Sequence, residues 1–479
     1  MTPQTDRAND VPLVVDLDGT LTKTDLLHEG ILALLARAPL SAFALPFWLG
    51  EGKAGFKRRV AEAACPDVET LPLNSAVLDE IDAARSAGRR VVLATASDQI
   101  YAEAVGRHLE LFDEVHGSDG TRNLGGAEKA AFLEDRFGRA GYDYIGDSAV
   151  DLPVWAAGRE GIVVDGGRAL GAEAPGGVRE IADTPREATA LLRALRPHQW
   201  LKNALIAVPM LTAYQFDLMT LGLVAMAIMA FSLTASGVYI INDLLDLASD
   251  RRHPRKSRRP FAAGEVSVAT GVATAFGLWI GAFLVAILTL PGPFLLVLGI
   301  YFAATFAYSL FLKKRAVMDI CTLAGLYCMR IVAGGAATGI FISPWLLAFS
   351  MFFFLALAAI KRQAEMTDLA HTDPGRETGR PYEVDDLPII RNIAMSGGYA
   401  AVLVMALYIN SETAVARFPL PEALWLICPL LLYWMTRLVM VTHRRRMTDD
   451  PIVFALRDFV SWAVGIGIVA AAIVARVGL

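Results

Sequence analysis

Asn242-Asp243-Leu244-Leu245-Asp246-Leu247-Ala248-Ser249-Asp250 follows a long apolar run that ends Ala235-Ser236-Gly237-Val238-Tyr239-Ile240-Ile241. Continued as a helix, the stretch sets Asp243, Asp246 and Asp250 at i, i+3 and i+7, on one face. Three carboxylates on one face repel one another unless a cation lies between them, and hard oxygen ligands suit Mg²⁺. The next ten residues, Arg251-Arg252-His253-Pro254-Arg255-Lys256-Ser257-Arg258-Arg259-Pro260, are densely cationic. Acids for a metal and then cations for phosphate, at the end of an apolar helix, describe a diphosphate site.

Working outward, the chain is 479 residues long with 54% hydrophobic and 19% charged residues, and its mean hydropathy is +0.44. That is too apolar for an average soluble protein and long enough for two domains. The net charge of −5 is unevenly spread. Cys65, Cys321, Cys328 and Cys428 are scattered, without disulfide or zinc spacing, as in a reduced compartment. The N-terminus is polar and lacks an apolar signal core, so the first domain is expected in the cytoplasm.

From Trp200 onward, nine apolar runs are long enough to cross a bilayer: 200–214, 218–241, 266–288, 291–311, 317–339, 343–365, 393–411, 420–441 and 453–476. Alternate connections carry the cations: Arg196 and Lys202, Arg251 to Arg259, Lys313-Lys314-Arg315, Lys361-Arg362 and His443-Arg444-Arg445-Arg446. The connections at 288–293 and 339–344 carry none. The positive-inside rule then puts the N-terminal domain in the cytoplasm of a bacterial-type inner membrane and the C-terminus outside. Charges within or beside these runs need a reason. Asp319 and Arg330 lie in the fifth; Lys361, Arg362 and Glu365 close the sixth, with Asp368 after them. Lys361 and Glu365 share a face, and the group is expected to form the far half of the phosphate site.

Residues 11 to about 190 alternate short β-rich runs with helical stretches, an α/β pattern. Val11 to Asp18 runs into Gly19-Thr20; Arg90 to Thr95 runs into Ala96-Ser97-Asp98; Tyr142 to Ile145 runs into Gly146-Asp147-Ser148-Ala149-Val150-Asp151. Lys129 follows Gly125-Gly126. These polar groups lie at or near carboxyl ends of strands, where open α/β sheets place ligands. Asp165-Gly166-Gly167 and Ala174-Pro175-Gly176-Gly177 read as a turn-rich linker, followed by a helix from Arg186 to Arg196. The expected domains are 1–185 and 186–479.

The first domain resembles the haloacid-dehalogenase-like phosphatases, whose four motifs stand in family order across these residues. The resemblance implies a Rossmann-like sheet and a small helical cap from about Leu26 to Arg85. It makes Asp16 the nucleophile and Asp18 the acid/base. Ser97 or Thr95, together with Lys129, would bind the phosphoryl oxygens. Asp147, with Asp16 and the carbonyl of Asp18, would hold Mg²⁺, and Asp151 would support it. A domain that is intact but idle, or that serves another ester, is the alternative.

The second domain resembles the UbiA superfamily of intramembrane prenyltransferases through Asn242-Asp243-x-x-Asp246-x-x-x-Asp250 and Arg259-Pro260-x-x-x-Gly264-x-Val266-Ser267. Many relatives carry a second aspartate pair where this chain has Lys361-Arg362-Gln363-Ala364-Glu365. That departure, with Arg196-Pro197-x-Gln199-Trp200-x-Lys202-Asn203, Asp250-Arg251-x-His253-Pro254-x-Lys256, Arg330-x-x-Ala333-Gly334-Gly335, Tyr382 and Leu456-Arg457-Asp458, is similar to the decaprenyl-phosphate phosphoribosyltransferase branch. The branch moves 5-phosphoribose from phosphoribosyl diphosphate to a polyprenyl phosphate. Mg²⁺ on Asp243, Asp246 and Asp250 would neutralise the leaving diphosphate. Arg258, Arg259, Lys313 and Lys314 are candidates for phosphate oxygens, and Lys202, Asn242, Lys256, Lys361, Arg362, Glu365 and Tyr382 complete the expected binding set. The resemblance thus implies a bifunctional enzyme whose partners are a polyprenyl phosphate, phosphoribosyl diphosphate and the bilayer; no nucleic acid is expected, and a homo-oligomer is left open. An aromatic prenyltransferase of the 4-hydroxybenzoate type, using a lipid diphosphate, is the competing expectation, and a non-catalytic membrane scaffold is the third.

Overall fold

The computed structural model describes residues 11–164, 171, 173–181, 187–372, 381–447 and 450–478. Contacts group the chain into two compact units: Met1–Pro197 with Tyr239–Gly277, and His198–Val238 with Leu278–Leu479. The connection that carries the three aspartates therefore folds with the N-terminal unit.

Among the described residues that unit holds a six-stranded sheet in the order β3-β2-β1-β4-β5-β6. The strands are β1 Leu13–Val15, β2 Val91–Asp98, β3 Glu114–Ser118, β4 Asp143–Gly146, β5 Gly161–Val164 and β6 Val178–Ile181, and every pairing is parallel. Adjacent β1 residues point to opposite faces. Leu13 and Val15 join a cluster with Ile81, Tyr101 and Val105, and Val14 joins one with Val92, Tyr144 and Trp155. Burial on both faces is why the strands read as continuous apolar runs. Chain order reverses around β1, whose neighbours are β2 and β4. Such a switch point opens a crevice at the strands' carboxyl ends.

Two expectations change here. Gly177 accepts a hydrogen bond from the Gly161 amide and Gly176 donates to Arg159, so Ala174 to Gly177 leads into β6 and is part of the sheet domain. The other part of the expected linker, 165–170, lies outside the described residues, as does Arg186. The helix expected next is Glu187–Ala194. The cap is also shorter than expected. Helices Leu26–Arg37, Leu45–Leu49 and Gly52–Ala63 form it, whereas Ser75–Ser86 buries Val77, Ile81 and Ala84 in the cluster beneath the sheet.

Among the described residues, eight helices are long and apolar enough to cross a membrane: Leu218–Leu245, Val268–Thr289, Gly292–Lys314, Met318–Thr338, Pro344–Asp368, Val384–Ile409, Pro421–His443 and Phe459–Val477. Each carries an apolar window of 18 residues with at most two charged residues, as a bilayer span requires. The run expected at 200–214 folds as a 3-10 segment, Pro197–Ala207, and a six-residue helix, Val208–Ala213. Its polar members have work elsewhere: the Asn203 amide donates to Ser232 Oγ at 2.9 Å. A Cβ on Gly334 would stand 2.0 Å from the Ile206 carbonyl, so only glycine lets helix Met318–Thr338 approach this segment so closely.

Candidate functional sites

The crevice of the N-terminal unit gathers the residues singled out in its sequence. Asp16 follows β1, Ser97 lies in β2 and Asp147 follows β4, and Val15 is in register with Leu93 and Ile145. The Ser97 hydroxyl donates to Asp18 Oδ2 at 2.6 Å, and the Leu26 amide donates to Asp18 Oδ1 at 2.8 Å. Lys129 Nζ stands 3.0 Å from Asp16 and 3.4 Å from Asp151, and the Tyr144 hydroxyl donates to Asp151 at 2.8 Å. Thr20 Oγ1 is 3.3 Å from Asp147. Gly19 has φ +75°, and a Cβ there would meet Asp147 Oδ2 at 2.4 Å, so the Asp-Gly-Thr turn needs glycine twice over. Between the two hydroxyls proposed for phosphoryl oxygens, Ser97 faces the acid. Thr95 is fully buried and accepts from the Ser97 amide at 3.0 Å, which shapes the turn.

Oxygens of Asp16, Asp147 and Asp151 lie within 4.8 Å of one another, and all three residues are buried. Three carboxylates against the single Lys129 ammonium leave an excess of negative charge, and a divalent cation with oxygen ligands fits it. Burial raises the Asp16 carboxyl, although Lys129 opposes the shift. Burial, and then the charge of Asp25, push Asp18 up to about 7, so it can carry a proton near neutral pH.

Sequence reasoning missed Lys57. It comes from the cap helix Gly52–Ala63, and its ammonium donates to Asn123 Oδ1 at 2.9 Å and to the Ala96 carbonyl. Those partners flank Ser97 and precede Lys129, which puts a second cation at the phosphoryl pocket. The only local signal is the cationic run Lys53 to Arg59, which reads as a solvated helix face.

The same unit carries the aspartate motif. The helix does not run straight through it. Leu218–Leu245 ends, Asp246 takes φ −97° and ψ 10°, and Leu247–Arg251 resumes. Asp243 and Asp250 still converge, because Arg259 Nη1 reaches both at 3.0 and 2.5 Å. Arg196 Nη2 lies 2.6 and 2.7 Å from the two Asp243 oxygens. Asp246 instead accepts from the Asn242 amide at 3.1 Å. Guanidinium groups thus hold Asp243 and Asp250, two of the carboxylates expected to share one metal. Lys256 is 3.9 Å from Asp250, and Arg258 is exposed. Burial raises the Asp250 carboxyl to about 6 against the opposing charge of Arg259.

The second unit holds a separate polar cluster. Lys202 and Lys361 Nζ approach Asp450 at 2.5 and 3.5 Å, and the Tyr327 hydroxyl adds a bond at 3.2 Å. Both lysines overcome the effect of burial and hold the Asp450 carboxyl well below the usual range. Arg362 Nε lies 2.6 Å from Asp319 and its guanidinium also pairs with Glu365. The Tyr308 hydroxyl bonds Asp319 at 2.7 Å, and Tyr382 accepts from the Val317 amide at 3.2 Å. Arg330 donates to Asn203, Tyr301 and the Leu326 carbonyl, which ties three segments of the unit together. Lys313 and Lys314 sit in the turn Leu312–Lys314, the first buried and the second exposed. Asp450 was not foreseen: an acid before Pro451 reads as an ordinary helix cap, a role it also fills.

The fold and these residues define a multi-pass, membrane-spanning type of chain with an α/β domain of hydrolase-like topology at its N-terminus. A family model described as the UbiA prenyltransferase family matches residues 204–473, and one for haloacid dehalogenase-like hydrolases matches residues 13–155. The chain belongs to the UbiA prenyltransferase family and carries a haloacid dehalogenase-like domain at its N-terminus. It is 36% identical over 472 residues to the uncharacterized protein y4nM of Sinorhizobium fredii, covering 97% of this chain and 91% of that one. The nodulation protein NoeC of Azorhizobium caulinodans is 36% identical over 271 residues, 55% of this chain and 86% of that protein. The decaprenyl-phosphate phosphoribosyltransferase of Mycobacterium tuberculosis is 38% identical over 189 residues, 37% of this chain and 60% of that protein. A solved UbiA homolog from Archaeoglobus fulgidus aligns with 59% of this chain and 96% of its own at a TM-score of 0.46 and 17% identity.

Proposed function

We propose that the chain catalyses two consecutive reactions: transfer of 5-phosphoribose from phosphoribosyl diphosphate to a polyprenyl phosphate, then hydrolysis of the 5-phosphate from the ribosyl lipid. The observation that carries this reading is that the aspartate motif and the phosphomonoesterase-type crevice occur in one compact unit. The product of such a transfer is itself a phosphate monoester. The likeness to decaprenyl-phosphate phosphoribosyltransferases supports the first step.

In the transfer, an oxygen of the polyprenyl phosphate attacks C1 of the ribose and the bond from C1 to the diphosphate oxygen breaks. Arg196 and Arg259 balance Asp243 and Asp250, so a divalent cation would enter together with the anionic diphosphate, which the freed guanidiniums can then bind. Asp243, Asp246 and Asp250 would hold Mg²⁺, which supplies neutralisation of the leaving diphosphate. Lys202, Lys361 and Arg362 remain candidate phosphate-binding cations of the second unit, where they pair with Asp450 and Asp319.

In the hydrolysis, the Asp16 carboxylate attacks phosphorus and Asp18 gives its proton to the departing ribose oxygen. Water then cleaves the aspartyl phosphate as Asp18 takes a proton back. Lys129, Ser97 and Lys57 bind the phosphoryl oxygens. Asp16 and Asp147, with the Asp18 carbonyl and support from Asp151, would hold Mg²⁺, which offsets the charge of the phosphoryl group. The N-terminal domain and the cationic connections lie on the cytoplasmic side in this reading, and the C-terminus lies outside.

The test is an assay of purified full-length protein with ribose-labelled phosphoribosyl diphosphate and a polyprenyl phosphate. A labelled lipid is expected, dephosphorylated by wild type and retaining its 5-phosphate in Asp16→Asn. If label enters lipid only from a prenyl diphosphate, the aromatic prenyltransferase reading replaces this one. If wild type leaves the 5-phosphate in place, the second step is wrong.

A further inference from the structure

The cap carries a surface that neither site uses. Between Arg37 and Glu51 the chain has no charged residue: Ala38-Pro39-Leu40-Ser41-Ala42-Phe43-Ala44-Leu45-Pro46-Phe47-Trp48-Leu49-Gly50. It folds as a 3-10 turn, Pro39–Phe43, and a short helix, Leu45–Leu49, and neither element buries a residue. Leu40, Phe43, Phe47 and Leu49 are 72, 75, 80 and 60% exposed. A soluble domain does not usually leave such a cluster in water, and the apolar tip marks a contact surface.

We infer that residues 39–49 are a membrane-interface anchor, dipping the tip of the cap into the bilayer that the chain itself spans. Two ion pairs, one from the cap and one from just beyond it, tie the domain to the chain that leaves the membrane helix Leu218–Leu245. Glu29, in cap helix Leu26–Arg37, pairs with Arg251 at 2.5 Å, and Asp67 pairs with Arg252 at 2.5 Å. Arg251 ends the short helix that follows directly on the span Leu218–Leu245. From Glu29 to the end of its helix at Arg37 the chain advances only about 12 Å, and the apolar tip begins at once. The composition also fits an interface: Trp48 is a ring type that settles at headgroup depth, and Phe43 and Phe47 add the apolar area that an interfacial segment buries. Exposed Arg37 and Lys53 flank the stretch and suit anionic headgroups. A soluble partner or a second copy would have to compete with lipid that is always within reach. Where the proposed hydrolysis of a lipid-borne ester holds, the anchor would also bring the crevice to the plane of its substrate.

The anchor is tested on the full chain reconstituted in vesicles of phosphatidylglycerol and phosphatidylethanolamine, with Cys65, Cys321, Cys328 and Cys428 replaced. An environment-sensitive fluorophore is placed on Phe43→Cys, and on Arg139→Cys as a control, since Arg139 is 79% exposed. The Phe43 probe should be quenched by spin-labelled lipid and shielded from iodide, and the control should show the opposite. Iodide quenching at Phe43 equal to the control overturns the anchor. Shielding from both quenchers that grows with the protein-to-lipid ratio overturns it in favour of a second copy. This readout involves no turnover, so it stands or falls independently of the proposed reactions. In activity, Phe43→Glu with Phe47→Glu should slow hydrolysis of a vesicle-borne phosphate ester severalfold and leave a small soluble ester unaffected. Equal effects on both esters would count against the anchor.

Discussion

Glu29 and Arg251, 222 residues apart in the chain, form a two-pronged ion pair in which both guanidinium terminal nitrogens donate to the carboxylate. The side chains are only 4 and 6% exposed. The pair joins helix Leu26–Arg37, whose first amide holds Asp18, to the helix that ends the aspartate motif. Removing one partner leaves the other charge buried and uncompensated, at a cost of about 3 kcal/mol. Glu29→Gln and Arg251→Met are each expected to lower the unfolding midpoint of the N-terminal unit, while the double variant recovers part of the loss. Single variants as stable as wild type would show that the pair contributes nothing to docking the cap.

The uneven geometry of the aspartate motif predicts uneven substitutions. Asp243→Asn and Asp250→Asn remove carboxylates bridged by Arg259 and should each reduce transfer by about 100-fold or more. Asp246→Asn, whose carboxylate is paired with the Asn242 amide, should cost less. All three should retain hydrolysis of a small soluble ester. Transfer assays on the three variants decide the order, and near-normal transfer by Asp243→Asn would remove the motif from the reaction.

Within the crevice, Ser97→Ala should cut kcat/KM for ester hydrolysis by about 100-fold, because the Asp18 carboxyl loses its hydroxyl partner. Lys57→Met should raise KM more than it lowers kcat if the cap lysine serves binding. Thr95→Ser keeps the hydroxyl that accepts from the Ser97 amide and should have little effect. Equal losses for Thr95→Ser and Ser97→Ala would mean that the turn, and not the Ser97 hydroxyl, matters.

Metal dependence offers a separate check. EDTA should abolish ester hydrolysis, and Mg²⁺ should restore it. Asp147→Asn should raise the Mg²⁺ concentration needed for half-activity by about 10- to 100-fold. Unchanged hydrolysis in EDTA would exclude a divalent ion from the crevice.

Orientation is read by labelling. A cysteine at Pro291 should react with an impermeant reagent on intact cells, and one at exposed Lys314 should react only after lysis. The opposite pattern would invert the membrane topology.

Much of this molecule is written locally. Strands buried on both faces are continuous apolar runs, and the acids at their ends, Asp16, Asp18 and Asp147, stand next to them in sequence. Membrane helices announce themselves by length and hydropathy, and Asp243 and Asp250 stay on one side because only seven residues separate them. Tertiary structure decided what those groups face. Arg196 reaches Asp243 across 47 residues, Lys202 finds Asp450 across 248, and Lys57 arrives from the cap beside Asn123, 66 residues away. A charge in a helix or loop has the same local signature whether it meets water, phosphate or a counter-ion. Periodicity fixes the side of an element on which a group lies, but the partner that neutralises it is chosen only when distant parts of the chain pack together and exclude water.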